Sequence, residues 1–177
     1  MCLFAGCCAM NSYKINDCVI YGRSGVCRIE DIESRSFDGR SSDYYVLKPL
    51  GNKNATVYVP CDNEKLTKLM RPPLSKAEID ELLTGVGEYR TEWIDDKKER
   101  PIYFKNIIGG GDIKQMLSLM RCIYLKKQEL IAKNKSLPIA DERLLSDTEK
   151  LINEEFAYAL GIDCSKVGEY ISEKVDN

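Results

Sequence analysis

The sequence predicts an α+β protein, with a small antiparallel β domain first and an all-α helical domain after it. Two observations carry this. Up to about residue 60, short β-rich runs alternate with Gly, Asn and Asp turn signals. Past Pro72-Pro73 the apolar residues fall instead at i, i+3, i+4 spacing behind helix-capping residues. This divides the chain into a β domain over residues 10–72 and a helical domain over residues 73–177, with residues 1–9 as an extension.

In the first domain, residues 17–22 form an apolar run that stops at Gly22. Residues 25–37 form a longer run whose alternation slips at Glu30-Asp31, the sign of a bulge. Asp38-Gly39 is a hairpin turn signal. Residues 43–50 are β-rich through Tyr44, Tyr45, Val46 and Leu47. Residues 56–59 alternate before Pro60, after a turn flanked by Asn52 and Asn54. Short strands so closely spaced predict a small antiparallel barrel. About 60 residues make a marginal core, so this domain should pack against its neighbour.

In the second domain, Ser75 and Glu78 form a capping box ahead of Ile79, Leu82 and Leu83. A segment over residues 91–108 follows, interrupted at Pro101. The glycines at 109–111 read as a loop between helices. Asp112 caps the next helix, again with the capping-box spacing to Gln115. Its apolar face is Ile113, Met116, Leu117, Met120, Ile123 and Tyr124, and it should run to about Ala132. Pro138 suits a first helical turn. Leu144, Leu145, Thr148, Leu151, Ile152, Phe156, Ala159 and Leu160 share one face of the helix that Gly161 ends. A last helix spans about residues 163–175.

Composition narrows the function. The 177 residues are 44% hydrophobic and 31% charged, ordinary for a globular chain. No apolar run approaches the ~20 residues of a membrane helix. The first nine residues are uncharged and contain Cys2, Cys7 and Cys8. Leu3 to Cys7 superficially resembles a lipoprotein cleavage site, but no basic or apolar leader precedes it. With Met10 just ahead of the first strand, residues 1–9 read as an upstream start or an expression remnant, and a cytoplasmic protein is expected.

There are eight cysteines, none in Cys-x-x-Cys spacing, and no histidine. Zinc is therefore not expected, and Cys18, Cys27, Cys122 and Cys164 read as small core residues. The commonest general base is absent, and so are the glycine-rich phosphate-binding motifs. No catalytic residue, cofactor, metal or small-molecule substrate is expected.

The net charge of −2 conceals an asymmetry. Residues 97–135 hold ten basic residues against three acidic ones, a net +7, and residues 136–177 hold four against ten, a net −6. A basic helical stretch is either a solvated face or a phosphate-contacting one. The single tryptophan, Trp93, lies in the polar run Glu-Tyr-Arg-Thr-Glu-Trp-Ile-Asp-Asp-Lys-Lys-Glu-Arg-Pro, without apolar neighbours in helical register. A half-exposed indole beside Lys97, Lys98 and Arg100 can act as a wedge or stacking platform for nucleic acid.

The residues 13–21, Tyr-Lys-Ile-Asn-Asp-Cys-Val-Ile-Tyr, resemble the opening of the CarD-like family of bacterial transcription regulators. Gly25-Val26, residues 29–33 (Ile-Glu-Asp-Ile-Glu), residues 44–48 (Tyr-Tyr-Val-Leu-Lys) and residues 56–60 (Thr-Val-Tyr-Val-Pro) continue the likeness. Trp93, Gly111-Asp112 and residues 154–157 (Glu-Glu-Phe-Ala) follow in the family's order. No one motif is very specific; their order and spacing together are. Asn16 stands where the family usually has Gly, and Gly22 where it usually has Pro; both are turn positions. About four extra residues separate Trp93 from Gly111.

The resemblance implies a Tudor-like, SH3-like β-barrel that binds the RNA polymerase β subunit at its β1 lobe, the same kind of module as in transcription-repair coupling factors. It places Arg35 at a polymerase contact, and Tyr58 where the family often has a second arginine. It implies that Trp93 enters the minor groove at the upstream edge of the transcription bubble, with Lys97, Lys98, Arg100 and Lys105 holding promoter DNA phosphates without sequence preference. The implied function is a non-catalytic regulator, nucleoid-associated through polymerase, that changes open-complex stability. Two other readings stay open. One is a protein-interaction module whose helical half is only a scaffold; the other is a thiol redox protein built on the cysteines.

Overall fold

The structure, a computed structural model, describes residues 13–37 and 40–175. The extension over residues 1–9, Met10, and the Asp38-Gly39 turn lie outside the described residues. Strands β1 (Cys18–Tyr21), β2 (Val26–Phe37), β3 (Arg40–Pro49), β4 (Val57–Pro60) and β5 (Met70–Arg71) form one antiparallel sheet in the order β4-β3-β2-β1-β5. The register of β2 on β3 shifts between Ile29 and Asp31, at the slip in the alternation. That shift keeps Ile29 in the core and turns the following residues toward solvent. Val19, Cys27, Ile29, Tyr45, Leu47, Val59 and Met70 form the core of this domain.

Two small elements were not legible. Helix α1 (Glu64–Thr67) is a single turn, capped by Asn63, whose side chain accepts from the Lys65 and Leu66 amides. Strand β5 has two residues and pairs with β1. Neither is long enough to show a period. The departure at Asn16 has a backbone reason. Its φ is 75°, a left-handed value that Asn tolerates better than most side chains. Gly22, in the helical turn Gly22–Ser24, has φ 45°, which the fixed φ of a proline could not reach.

The helical half comprises α2 (Lys76–Thr84), α3 (Glu99–Gly110), α4 (Ile113–Ala132), α5 (Ile139–Leu160) and α6 (Val167–Val175). The Ser75 capping box is complete: the Ser75 hydroxyl accepts from the Glu78 amide, and the Glu78 carboxylate accepts from the Ser75 amide at 2.7 Å. Ser75→Ala is expected to cost about 1 kcal/mol in urea unfolding; a change within error would mean that packing, not the cap, fixes this helix end.

Pro101 does not interrupt a helix. It lies in the first turn of α3, where its missing N–H would have had no helical partner. Asp112 caps α4 by accepting from the Gln115 amide. Pro138 stands just outside α5, as its N-cap. Gly161 ends α5 with φ 66°. The buried face of α4 is Ile113, Met116, Leu117, Ser118, Leu119, Cys122 and Ile123. Tyr124 is exposed, because α4 packs against both α3 and α5 and its buried stripe is turned from the one read in sequence. Cys164 is exposed too, in the short turn before α6, so it is not a core residue. Cys27 is buried, and burial, with Glu154 and Cys18 adding, pushes its thiol up to about 12, far from a reactive thiolate.

The two halves are joined by a clamp. Arg71 on β5 donates through Nη1 and Nη2 to the Glu155 carboxylate of α5, at 2.6 and 2.7 Å. Its Nε and Nη2 donate to the Gly111 carbonyl between α3 and α4. Glu155 is 2% exposed and also accepts from the Leu74 amide. Beside this clamp Gly22 meets the end of α3, where a Cβ on Gly22 would stand 3.0 Å from the Gly109 oxygen. No described helix is long and apolar enough to cross a membrane.

Candidate functional site

Two surfaces carry the residues singled out in the sequence. The first is the outer face of the sheet. Glu33 and Arg35 alternate along β2 and so share a face. Tyr58 reaches them from β4, across β3. The Arg35 guanidinium lies 3.9 Å from the centre of the Tyr58 ring. Glu33 holds it from the side, accepting from Nε at 2.9 Å and Nη2 at 2.8 Å. This bond to Glu33 and the neighbouring Tyr58 raise the Arg35 pKa further above its already high ordinary value. A guanidinium stacked on a ring and gripped by a carboxylate is held in one orientation at low entropic cost. Tyr58 is 41% exposed and β4 is an edge strand, so the pair sits beside an edge open to a partner.

The second surface is built on the extended segment between the turn Val86–Glu88 and α3. Trp93 is half-buried. Its ring meets Phe104 edge-on at 5.9 Å, with Lys126 of α4 5.6 Å from the ring centre. The Arg100 guanidinium is stacked on it at 4.3 Å. Arg100 is itself only 5% exposed. Its Nε and Nη2 form a two-pronged pair with Asp141 of α5 at 3.1 and 2.8 Å, and its Nη1 donates to the Ile94 and Asp95 carbonyls.

Arg100 is therefore not a phosphate ligand. Its charge is matched inside the protein, and its role is to pin the Trp93 segment to the helices. Lys97, Lys98 and Lys105 are exposed. Asp96 accepts from the Lys98 and Glu99 amides at 2.7 and 2.9 Å, which holds its carboxyl below its usual range and caps the backbone at the start of α3. Glu92, Asp95, Asp96 and Glu99 are exposed in the same stretch. The start of the basic block is thus mixed in charge.

Five residues that organise these surfaces and the clamp had no role assigned from sequence: Arg71, Asp141, Glu155, Arg90 and Arg121. Glu155 had a signal, since it lies between Ile152 and Phe156 on an apolar stripe where an unpaired carboxylate would be costly. Asp141, three residues before Leu144, had the same one. The arginines had none.

Residues 13–73 match the family model of the CarD-like/TRCF RID domain. The match spans β1 to β5, including Arg35, Tyr58 and the clamp residue Arg71. Domains of this family mediate protein interaction, not catalysis. The sheet domain of this chain, over residues 13–73, is thus a CarD-like/TRCF RID domain, an RNA polymerase-interacting module.

Proposed function

We propose that this protein binds the β subunit of RNA polymerase, at its β1 lobe, through Arg35, Tyr58 and the adjoining strand edge, and lays Trp93 against promoter DNA at the upstream edge of the bubble. Lys97, Lys98 and Lys105 contact phosphates there, and the result is a change in open-complex stability without catalysis. Such a protein works in the cytoplasm, on the nucleoid, through polymerase.

The observation that carries this reading is the mounting of Trp93. Its indole is half-buried and fixed by Phe104, Arg100 and Asp141. A wedge must be rigid, because unstacking a base step costs a few kcal/mol that a mobile side chain would not transmit. The weak net charge fits a tethered contact. Binding to polymerase through the sheet domain raises the local concentration to the order of mM, so a few phosphate contacts suffice. Mixed charge around Trp93 and the withdrawal of Arg100 favour the second reading, in which the helical half is a scaffold without functional DNA contact.

Open-complex lifetime on a promoter, with purified polymerase, separates the two. Trp93→Ala is expected to remove the effect of the protein by roughly tenfold, in line with the about 1–3 kcal/mol of a base–aromatic contact. Arg35→Ala is expected to remove it by loss of polymerase binding. If only Arg35→Ala acts, the scaffold reading stands and the Trp93 contact is wrong.

A further inference from the structure

Two residues before Trp93, the same extended segment and α4 line an open pocket of about 240 Å³. Its polar lining is Arg90, Thr91, Ser118 and Arg121, and no described carboxylate lines it. The two arginines are held side by side. Arg90 Nη1 donates to the Gly87 and Tyr89 carbonyls at 2.7 and 3.0 Å. Arg121 Nη1 donates to the Val86 carbonyl at 3.3 Å and to the same Gly87 carbonyl, and lies 3.5 Å from the Tyr89 oxygen.

Neighbouring guanidiniums repel, yet neither forms an ion pair with a described carboxylate. Their direct partners are backbone carbonyls, and the carboxylates of Glu81, Glu88 and Asp112 act on the Tyr89 wall only from outside the lining. Their Nη1 groups are committed; their Nε and Nη2 groups donate to no described residue. Thr91 donates its hydroxyl to Ser118 Oγ at 2.7 Å, which leaves the Ser118 proton to donate onward. Lys114 stands 4.9 Å from the ring of Tyr89, another wall of the pocket.

We propose that Arg90 and Arg121, with the Ser118 hydroxyl oriented by Thr91, form a phosphate-binding site. Two planar forks and one hydroxyl donor lining the same pocket, with no carboxylate in its lining, match a tetrahedral oxyanion better than a neutral ligand. The pocket is smaller than the about 300–1,000 Å³ of those that enclose whole cofactors, so it takes a phosphate group and leaves the rest of the ligand outside. That phosphate belongs either to a nucleic-acid backbone or to a small phosphorylated molecule. Continuity with Trp93 favours the backbone, and in that case the site rests on the nucleic-acid reading above.

The test uses the full chain and two probes. Inorganic phosphate is titrated while the Nε–Hε resonances of ¹⁵N-labelled arginine are followed. A fluorescein-labelled forked duplex is bound across a salt series and read by anisotropy. Arg90→Gln, at an exposed position, is expected to lower the slope of log K against log salt by about 0.7–0.9, one phosphate contact. Arg121→Lys keeps the charge, so it should leave the slope unchanged while affinity falls several-fold through loss of the fork. Trp93→Ala should weaken binding at every salt concentration with the slope unchanged.

If the slope falls and phosphate moves both arginine resonances, the ligand is a backbone phosphate. If phosphate moves them at low millimolar concentration while the slope is unchanged, the site stands and its ligand is a small phosphate. If neither probe responds, the proposal is overturned. A silent Trp93→Ala beside a reduced Arg90→Gln slope would reject the wedge and keep the arginine site.

Discussion

Arg71→Ala is expected to lower the unfolding free energy by about 3–5 kcal/mol, the cost of removing one partner of a buried ion pair. The substitution strands the Glu155 carboxylate, 2% exposed, with only the Leu74 amide as donor. It also leaves the Gly111 carbonyl without its two guanidinium bonds. Glu155→Ala should cost less, about 2–3 kcal/mol, because Arg71 is 28% exposed and water can solvate what remains. Both variants should do more than shift one midpoint. The clamp ties the sheet to the junction of α3 and α4 and to α5, so its loss should split a single cooperative transition into two. Calorimetry and urea unfolding read both effects. An Arg71→Ala change below about 1 kcal/mol would mean that the contacts at Gly22 and Gly109 hold the halves together without the ion pair.

The second large effect is at Asp141. Asp141→Ala is expected to cost about 3–5 kcal/mol, since it leaves the Arg100 guanidinium buried with carbonyls alone to meet its charge. The substitution lies outside the Trp93 segment, yet it should change the emission of the only tryptophan, because Arg100 is stacked on that ring. Lys97→Ala and Lys105→Ala, at exposed positions, should stay within about 0.5 kcal/mol of the parent and leave the emission alone. A stable Asp141→Ala protein with unchanged emission would show that Phe104 alone positions the indole. Arg100→Lys probes the same link from the other side. It keeps a charge but cannot reproduce the fork to Asp141 and the two carbonyl bonds, so Trp93 should loosen.

These effects separate stability from DNA contact. Loss of function in an Arg100 variant would report a displaced Trp93, not a lost phosphate contact. The lysines at 97, 98 and 105 are the residues whose removal tests phosphate contact cleanly, because nothing else in the fold depends on them as heavily.

Much of the fold was legible because local chemistry determines it. The bulge at Glu30-Asp31, the Ser75 capping box, the start of α4 at Asp112, its end at Ala132 and the glycine stop at 161 each depend on a few consecutive residues. α1 and β5 were not legible, because a single turn and a two-residue strand contain no period to read. The outward position of Tyr124 depended on which helices flank α4, which no local pattern states.

The arginines mark the limit. Arg100 stands four residues before Phe104 and seven before Ile107, on the buried stripe of α3, while Asp141 and Glu155 occupy buried positions on α5. By itself, the sequence could say that each of these charges needed a partner, since an unpaired buried charge is prohibitive. It determined the element types, their order and a tryptophan set in polar company. Only the tertiary structure decided which arginine meets which carboxylate, and so which cations are left to face solvent. Those pairs join residues 41 and 84 positions apart, and such distances are set by how the helices and the sheet pack.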